Sequence, residues 1–299
     1  MSLSGSICAL ATPFRSRDDA IDVAAFERLI DLQITHGTNA LVVAGSTGEA
    51  AALEESEFSQ LLDVAVRHIG QRVPSIAGTG QSGTRRTIAQ TRRARDAGIE
   101  FALVVAPAYV RPTQEGMYRH FCEVADHGGL PVMLYNVPSR TACDLLPETV
   151  ARLTAHGNII GIKEAVADPA RMQALLPLRS ERFAVFSGDD GSAAQAIRAG
   201  ADGVISVAAN VDPARMARLA ASCAGHADTA AALERELQPL FALLGCEPNP
   251  IPLKWCLSRL GIGESYLRLP LLALSPQHHA HAQSVLAGLG LVESAAAVG

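Results

Sequence analysis

The sequence predicts an α/β protein, a closed (β/α)8 barrel of the TIM type followed by a C-terminal helical appendage. Eight short β-branched runs recur, each bounded by Gly, Pro, Asn or Asp, as expected for strands buried on both faces. The seven intervals between them span 19 to 35 residues, enough for one strand and one helix per unit. Of 299 residues, 48% are hydrophobic and 18% charged, which gives enough apolar material for one large core.

The predicted strands begin near Ile7, Ala40, Ser75, Phe101, Val132, Ile159, Ala184 and Gly203. The segments between them have helical spacing, as in the run from Phe26 through Leu29, Ile30 and Gln33 to Ile34. Eight such units in roughly 200 to 250 residues fit a closed parallel barrel better than an open doubly wound sheet.

From about Asp228 the sequence keeps helical periodicity but loses the strand signal. We therefore predict a catalytic barrel over residues 1–227 and a C-terminal helical region over 228–299. Four prolines are expected to interrupt the helices of the second region: Pro239, Pro248, Pro250 and Pro252.

Charge and hydropathy limit the kinds of partner. The net charge is −5, and arginines cluster no further than in pairs, so we expect no nucleic-acid partner. The longest apolar run, about Phe101 to Val110, is half of the roughly 20 residues that a membrane span needs. No basic stretch leads into an apolar segment at the N-terminus, so we expect a cytoplasmic protein with small-molecule substrates.

Metal and nucleotide cofactors are not expected. The six cysteines form no C-x-x-C pair and the nine histidines form no H-E-x-x-H motif, which predicts free thiols and no metal. The glycines of residues 78–83 match G-x-G-x-x-G, yet the next strand ends without an acid for a ribose.

Only two of the 25 basic residues are lysines, so the presence of each lysine calls for an explanation. Lys163 ends a predicted strand at the barrel mouth, where lost hydration favours the neutral amine that condenses with ketones. The alternative is a structural lysine paired with Glu164 at the strand edge. Lys254 lies in a helical stretch beside Trp255, where we expect its stem to snorkel over apolar surface.

Three further groups at the barrel mouth have side chains that can transfer protons or bind carboxylates. Tyr135 ends the fifth strand, one barrel step from Lys163, and its phenol can transfer protons, although such tyrosines are often core residues. Ser46 and Thr47 offer hydroxyls and backbone N–H groups to a carboxylate at the start of a helix, or form only a capping turn. Arg140, in a loop stiffened by proline, can bind a second carboxylate or simply face solvent.

Five segments carry a resemblance to a known family: Gly45-Ser46-Thr47-Gly48-Glu49, Tyr135-Asn136-Val137-Pro138-Ser139-Arg140-Thr141, Gly161-Ile162-Lys163-Glu164, Ser187-Gly188-Asp189-Asp190 and Glu247-Pro248-Asn249-Pro250-Ile251-Pro252. They resemble the dihydrodipicolinate synthase (4-hydroxy-tetrahydrodipicolinate synthase) family from about Gly5 to Leu291. The lysine and the Gly-x-Thr-Gly-Glu segment are shared by all pyruvate-dependent aldolases, including N-acetylneuraminate lyase, so they indicate chemistry rather than substrate. The Ser139-Arg140 pair is more particular to the synthase branch.

The resemblance implies a role for each matching residue. Lys163 would form an imine with pyruvate, and Thr47 with its adjoining backbone would hold the pyruvate carboxylate. Tyr135 would be the acid/base. Ser46, where the family usually has threonine, would complete a hydroxyl relay with Tyr135 and with Tyr109 from a neighbouring subunit.

The second substrate implied is aspartate-β-semialdehyde. Arg140 would bind its carboxylate, and the backbone at Gly188 and Ile205 would line the pocket. The imine would become an enamine, attack the aldehyde, and release Lys163 by transimination. The resemblance implies no cofactor, and a homo-oligomer, typically a dimer of dimers.

Two rival functions remain open from the sequence. Ser46, and Ala108 and Val110 around Tyr109, leave room for another pyruvate-dependent aldolase or dehydratase that acts on a sugar acid or hydroxy-oxo acid. A ligand-binding paralogue without turnover is the alternative of another class.

The resemblance also bears on regulation. Members inhibited by L-lysine usually have histidines at the positions of Glu55 and Phe58, an amide or acid at Ser82, an acid at Arg86 and a tyrosine at Ala108. Because these groups are replaced here, we expect L-lysine to leave the activity unchanged.

Overall fold

A computed structural model of the chain describes residues 3–293, so that the outer ends of the two predicted regions, residues 1–2 and 294–299, lie outside the described residues. Eight parallel strands close into a barrel in chain order, each hydrogen-bonded to the next and the last to the first. The strands are β1 Gly5–Ala9, β2 Ala40–Val43, β3 Ser75–Gly78, β4 Phe101–Val105, β5 Val132–Asn136, β6 Ile159–Glu164, β7 Ala184–Ser187 and β8 Gly203–Ser206. The predicted barrel fold is confirmed.

Twelve α-helices accompany the strands in the described part of the chain. Those of the barrel are α1 Val23–Thr35, α2 Glu55–Ile69, α3 Thr84–Asp96, α4 Gln114–His127, α5 Pro138–Thr141, α6 Pro147–Leu153, α7 Pro169–Leu175, α8 Asp190–Arg198 and α9 Pro213–Ser222. Those that follow are α10 Ala227–Leu244, α11 Ile251–Arg259 and α12 His279–Gly288. Short 3-10 turns lie at Ala50–Ala52, Leu176–Leu178, Ala208–Asn210 and Pro276–His278.

Seven of the eight strands begin at the residue predicted, and β1 begins two residues early, at Gly5. Gly5 pairs with Gly203 where β1 closes the barrel against β8. A Cβ on Gly203 would lie 2.0 Å from the Gly5 carbonyl oxygen, so glycine is needed for the two backbones to meet there. Gly5 and Ser6 precede the first β-branched residue of this strand, Ile7, so the β-branched pattern begins only there.

The apolar residues form two buried clusters. One fills the barrel interior and includes Ile7, Val42, Leu103, Phe186 and Ile205. The larger one lies between the strands and the surrounding helices, as expected when both faces of a parallel sheet are covered. Because the interior is packed, substrates can reach only the polar groups at the carboxyl ends of the strands.

The C-terminal region packs against the barrel through α10, which contacts α9 and α8. The expectation that Pro239 interrupts a helix is wrong, because it lies inside the 18-residue α10 between the buried Leu237 and Leu240. Burial of that apolar face offsets the hydrogen bond that proline removes. Among residues 3–293, no helix is long and apolar enough to cross a membrane.

Candidate active site

Lys163 and Tyr135 lie side by side at the barrel mouth. They are paired in register on the adjacent strands β6 and β5, and the Lys163 Nζ atom lies 4.6 Å from the centre of the Tyr135 ring. Both are buried, with 4% and 7% of their surfaces exposed. No side chain or carbonyl among residues 3–293 accepts a hydrogen bond from Lys163 Nζ, so the amine is available to a ligand.

Glu164 is not the partner of Lys163, which removes the structural alternative for this lysine. Successive strand residues point to opposite faces, so Glu164 turns away from the mouth. Its carboxylate accepts from Asn136 Nδ2 at 3.1 and 3.0 Å and from the Val166 N–H at 2.9 Å. Burial raises the pKa of Glu164, while these donors and the Arg171 guanidinium at 3.8 Å oppose that rise.

Gly188 follows β7 and places its backbone against Lys163. A Cβ at this position would lie 3.0 Å from Lys163 Cγ, so the lysine side chain passes over the bare glycine. The Gly188 N–H donates to the Glu164 carbonyl at 2.6 Å. Ile205, on β8, is fully buried in the interior cluster.

Ser46 and Thr47 lie in a tight turn after β2. Inside the turn the Gly48 N–H donates to the Gly45 carbonyl at 3.0 Å, and the Glu49 N–H donates to the Ser46 carbonyl at 3.2 Å. Within the described residues, the N–H groups of Ser46 and Thr47 donate to no protein acceptor. Two free adjacent N–H groups form a site for an anion such as a carboxylate.

The expectation that this turn opens a helix is wrong. Only the 3-10 turn Ala50–Ala52 follows it, and α2 begins at Glu55 with its own capping box between Glu54 and Glu57. The anion site is therefore formed by turn N–H groups rather than by a helix N-terminus, so a helix dipole contributes little to it.

Asn249 is hydrogen-bonded to both Thr47 and Arg140, a role that was not predicted from the sequence. Its Nδ2 donates to Thr47 Oγ1 at 3.0 Å, and its carbonyl accepts from Arg140 Nη2 at 2.8 Å. Arg140, on α5, is exposed with the rest of its guanidinium free to bind a ligand. The presence of Asn249 in the Glu247–Pro252 motif was the one available signal for a role here.

Tyr109 does not join the other site residues within one chain. Its backbone has φ +72° and its N–H donates to the Thr141 carbonyl at 3.2 Å, while 90% of its surface is exposed. Among residues 3–293 its hydroxyl contacts neither Ser46 nor Tyr135 by a hydrogen bond.

A cavity of about 310 Å³ connects part of the site to the surface. Ser46, Tyr135 and Arg140 line it together with Val137 and Thr141. Lys163, Thr47, Gly188 and Ile205 are not among its lining residues. The cavity therefore lies beside the lysine and has room for a small acid between Ser46 and Arg140.

Lys254 does not snorkel, contrary to the sequence expectation. It is 2% exposed, and its Nζ donates to Glu49 Oε1 at 2.5 Å. Because Glu49 is buried at the end of the Gly45–Glu49 turn, the ammonium is paired with a carboxylate inside the protein and does not need to reach water.

The chain matches a known protein family over nearly its whole length. Residues 2–288 match the model of the dihydrodipicolinate synthetase family. The chain is 56% identical over 295 residues to the 4-hydroxy-tetrahydrodipicolinate synthase of Stenotrophomonas maltophilia (strain K279a), covering 98% of this chain and 99% of that one.

Solved structures of dihydrodipicolinate synthases have the same fold as this chain. The chloride-inhibited dihydrodipicolinate synthase of Acinetobacter baumannii, complexed with pyruvate, superposes with a TM-score of 0.95 at 40% identity, covering 97% of this chain and all of that one. A monomeric dihydrodipicolinate synthase variant superposes with a TM-score of 0.94 at 37% identity, covering 97% of this chain and 98% of that one.

Proposed function

The chain belongs to the dihydrodipicolinate synthetase family, and from that membership we propose that Lys163 is the amine that carries pyruvate through its reaction. The chain is an enzyme that condenses pyruvate with L-aspartate-4-semialdehyde to 4-hydroxy-tetrahydrodipicolinate, a step of lysine (diaminopimelate) biosynthesis. The observation that carries the proposal is the buried, unpaired Lys163 amine beside Tyr135.

Pyruvate binds first, with its carboxylate on the free N–H groups of Ser46 and Thr47 and on the Thr47 hydroxyl. The Lys163 amine attacks the ketone carbon to give a carbinolamine, and loss of water gives the imine. Tyr135 supplies the proton for the departing water, since its phenol ends the neighbouring strand.

The imine then loses a methyl proton to the Tyr135 oxygen and becomes an enamine. The enamine attacks the aldehyde carbon of the second substrate, and Tyr135 returns the proton to the aldehyde oxygen. Arg140 binds the carboxylate of that substrate through its free guanidinium edge. The amino group of the new chain displaces Lys163 from the imine carbon, closing the ring and returning the lysine as a free amine. No oxidation or reduction occurs, so the cycle requires no redox cofactor.

The remaining site roles and the assembly are also part of the proposal. Ser46 and Tyr135 form a proton relay with Tyr109 of a neighbouring subunit, which accounts for the exposure of Tyr109 within one chain. The backbone at Gly188 and Ile205 borders the pocket. The enzyme is a cytoplasmic homo-oligomer built from dimers, and within the described residues the catalytic barrel extends to residue 227 and the supporting helical region begins at 228.

An assay that couples product formation to a downstream reductase tests this function. Wild type is expected to turn over pyruvate with aspartate semialdehyde, and Lys163→Ala is expected to lose activity by about 10³-fold or more. Lys163→Ala must keep the wild-type melting temperature for the comparison to count. Turnover of a sugar acid with no activity on the semialdehyde would overturn the proposal.

A further inference from the structure

The buried pair of Lys254 and Glu49 joins the C-terminal region to the end of the Gly45–Glu49 turn. Lys254 comes from α11 in the C-terminal region, and Glu49 is the last residue of the turn that begins at Gly45. The two side chains are each 2% exposed and their charged atoms are 2.5 Å apart. The Lys254 Nζ also lies 4.3 Å from the centre of the Phe14 ring, so aromatic and carboxylate groups enclose it.

Glu49 has a backbone conformation that a non-glycine residue seldom adopts. Its φ of +51° and ψ of +39° are left-handed, which costs about 1 kcal/mol for a residue with a Cβ. Two contacts hold the side chain in place, the Lys254 ammonium at Oε1 and the Arg268 N–H, 3.2 Å from Oε2. The left-handed residue ends the turn, so its placement fixes the direction of the N–H groups before it.

Lys254 is the cationic partner of Glu49 in the described part of the chain. Arg268 also lies nearby, but its guanidinium is engaged by Glu57 at 2.5 and 2.6 Å and by Asp19 at 3.1 Å. Only the Arg268 backbone N–H reaches Glu49. Removal of the Lys254 ammonium therefore leaves the buried Glu49 carboxylate without a compensating charge.

We propose that Lys254 is a positioning residue for pyruvate, which holds the free N–H groups of Ser46 and Thr47 in place through Glu49. The inference rests on the proposed binding of the pyruvate carboxylate at this turn. It assigns a role to the C-terminal region, because α11 supplies the cation. It also explains why the second lysine of the chain is buried rather than on the surface.

The test measures pyruvate binding without the second substrate. Borohydride traps the pyruvate imine, and the pyruvate concentration that gives half-maximal trapping is measured for wild type, Lys254→Met, Glu49→Gln and the double variant. Methionine keeps much of the length of the lysine stem but has no charge. Arg259→Met, an exposed position on the same helix, is the matched control.

We expect Lys254→Met to raise the half-saturating pyruvate concentration by about tenfold, because the turn loses its fixed end. The KM for the semialdehyde in the same variant is expected to change by less than about twofold, since the carboxylate of that substrate is bound by Arg140 rather than by the N–H groups of the turn. Arg259→Met is expected to match wild type in both measurements.

The double variant separates positioning from simple stability. We expect it to regain most of the thermal stability lost in Lys254→Met, because no charge is left buried alone. Its half-saturating pyruvate concentration is nevertheless expected to stay raised, because nothing anchors residue 49. Pyruvate binding that returns to the wild-type value along with stability would overturn the inference, as would an unchanged value in a folded Lys254→Met.

Failure of the proposed function would look different. Wild type that traps no pyruvate at Lys163 would refute the proposed function itself. Wild type that traps pyruvate but rejects the semialdehyde would leave the trapping measurement on Lys254→Met fully interpretable.

Discussion

Gly188 leaves the space that the Lys163 side chain occupies: a Cβ on Gly188 would lie 2.9 Å from Lys163 Cε. Contacts this short do not occur between relaxed carbon atoms, so any larger residue must move the lysine. The path of the lysine toward the barrel mouth therefore depends on the absence of a side chain at the residue that follows the next strand, β7.

Gly188→Ala is expected to slow imine formation by about 10²-fold, because a displacement of the amine by about 1 Å is enough for such a loss. The rate of borohydride-trapped adduct formation at saturating pyruvate measures this. Gly191→Ala is the matched control, since its Cβ would come no closer than 3.6 Å to a neighbouring atom. A wild-type rate in Gly188→Ala would show that the lysine adapts and that the glycine is not needed.

Arg140→Ala is expected to lower kcat/KM for the semialdehyde by about 10²-fold, because a charge-assisted contact to its carboxylate is lost. The pyruvate concentration that gives half-maximal trapping is expected to stay within about twofold of the wild-type value. Arg119→Ala, which removes an exposed arginine paired with Glu115 at 2.9 Å, serves as the control. Equal losses for both substrates would indicate that Arg140 has a structural role.

His120 is expected to make stability depend on pH. It is 5% exposed, its Nδ1 lies 3.0 Å from Thr84 Oγ1, and burial lowers its pKa from 6.5 to about 4. Between these two values the unfolded chain binds a proton that the folded chain does not, so stability falls as pH falls. The full effect of this histidine from pH 6.5 down to pH 4 is about 3 kcal/mol.

Denaturant unfolding at several pH values measures this contribution. His120→Leu is expected to lose less free energy of unfolding than wild type as the pH falls. His127→Asn, at the exposed end of the same helix, is expected to lose as much as wild type. An equally steep decline in His120→Leu would show that other groups account for it.

L-lysine at millimolar concentration is expected to leave the activity unchanged. Phe58 is buried at 2% exposure and has no polar side-chain atom, and the charge of the Glu55 carboxylate is already compensated by Arg93 at 2.9 Å, which weakens the attraction of this position for a lysine ammonium. Titration of L-lysine into the coupled assay measures this. Saturable inhibition with partial residual activity would show that a regulatory site persists.

The sequence predicts the barrel well because its strands are buried on both faces and separated by helices. The same logic located Lys163, Tyr135 and the Ser46-Thr47 turn, since each follows or ends a strand. The burial of Lys254 against Glu49 was not predicted, because the two residues are 205 positions apart in the chain and no local sequence pattern indicates that contact. Asn249 was missed for the same reason, since its contact with Thr47 spans 202 residues.

Lys163, and not Lys254, is proposed to carry pyruvate as an imine. The most direct measurement is peptide mapping by mass spectrometry after incubation with pyruvate and borohydride. We expect one reduced pyruvyl adduct per chain, on Lys163, and none in Lys163→Ala, because the Lys254 amine is buried against Glu49. An adduct on Lys254 alone, or no adduct in active wild type, would contradict it.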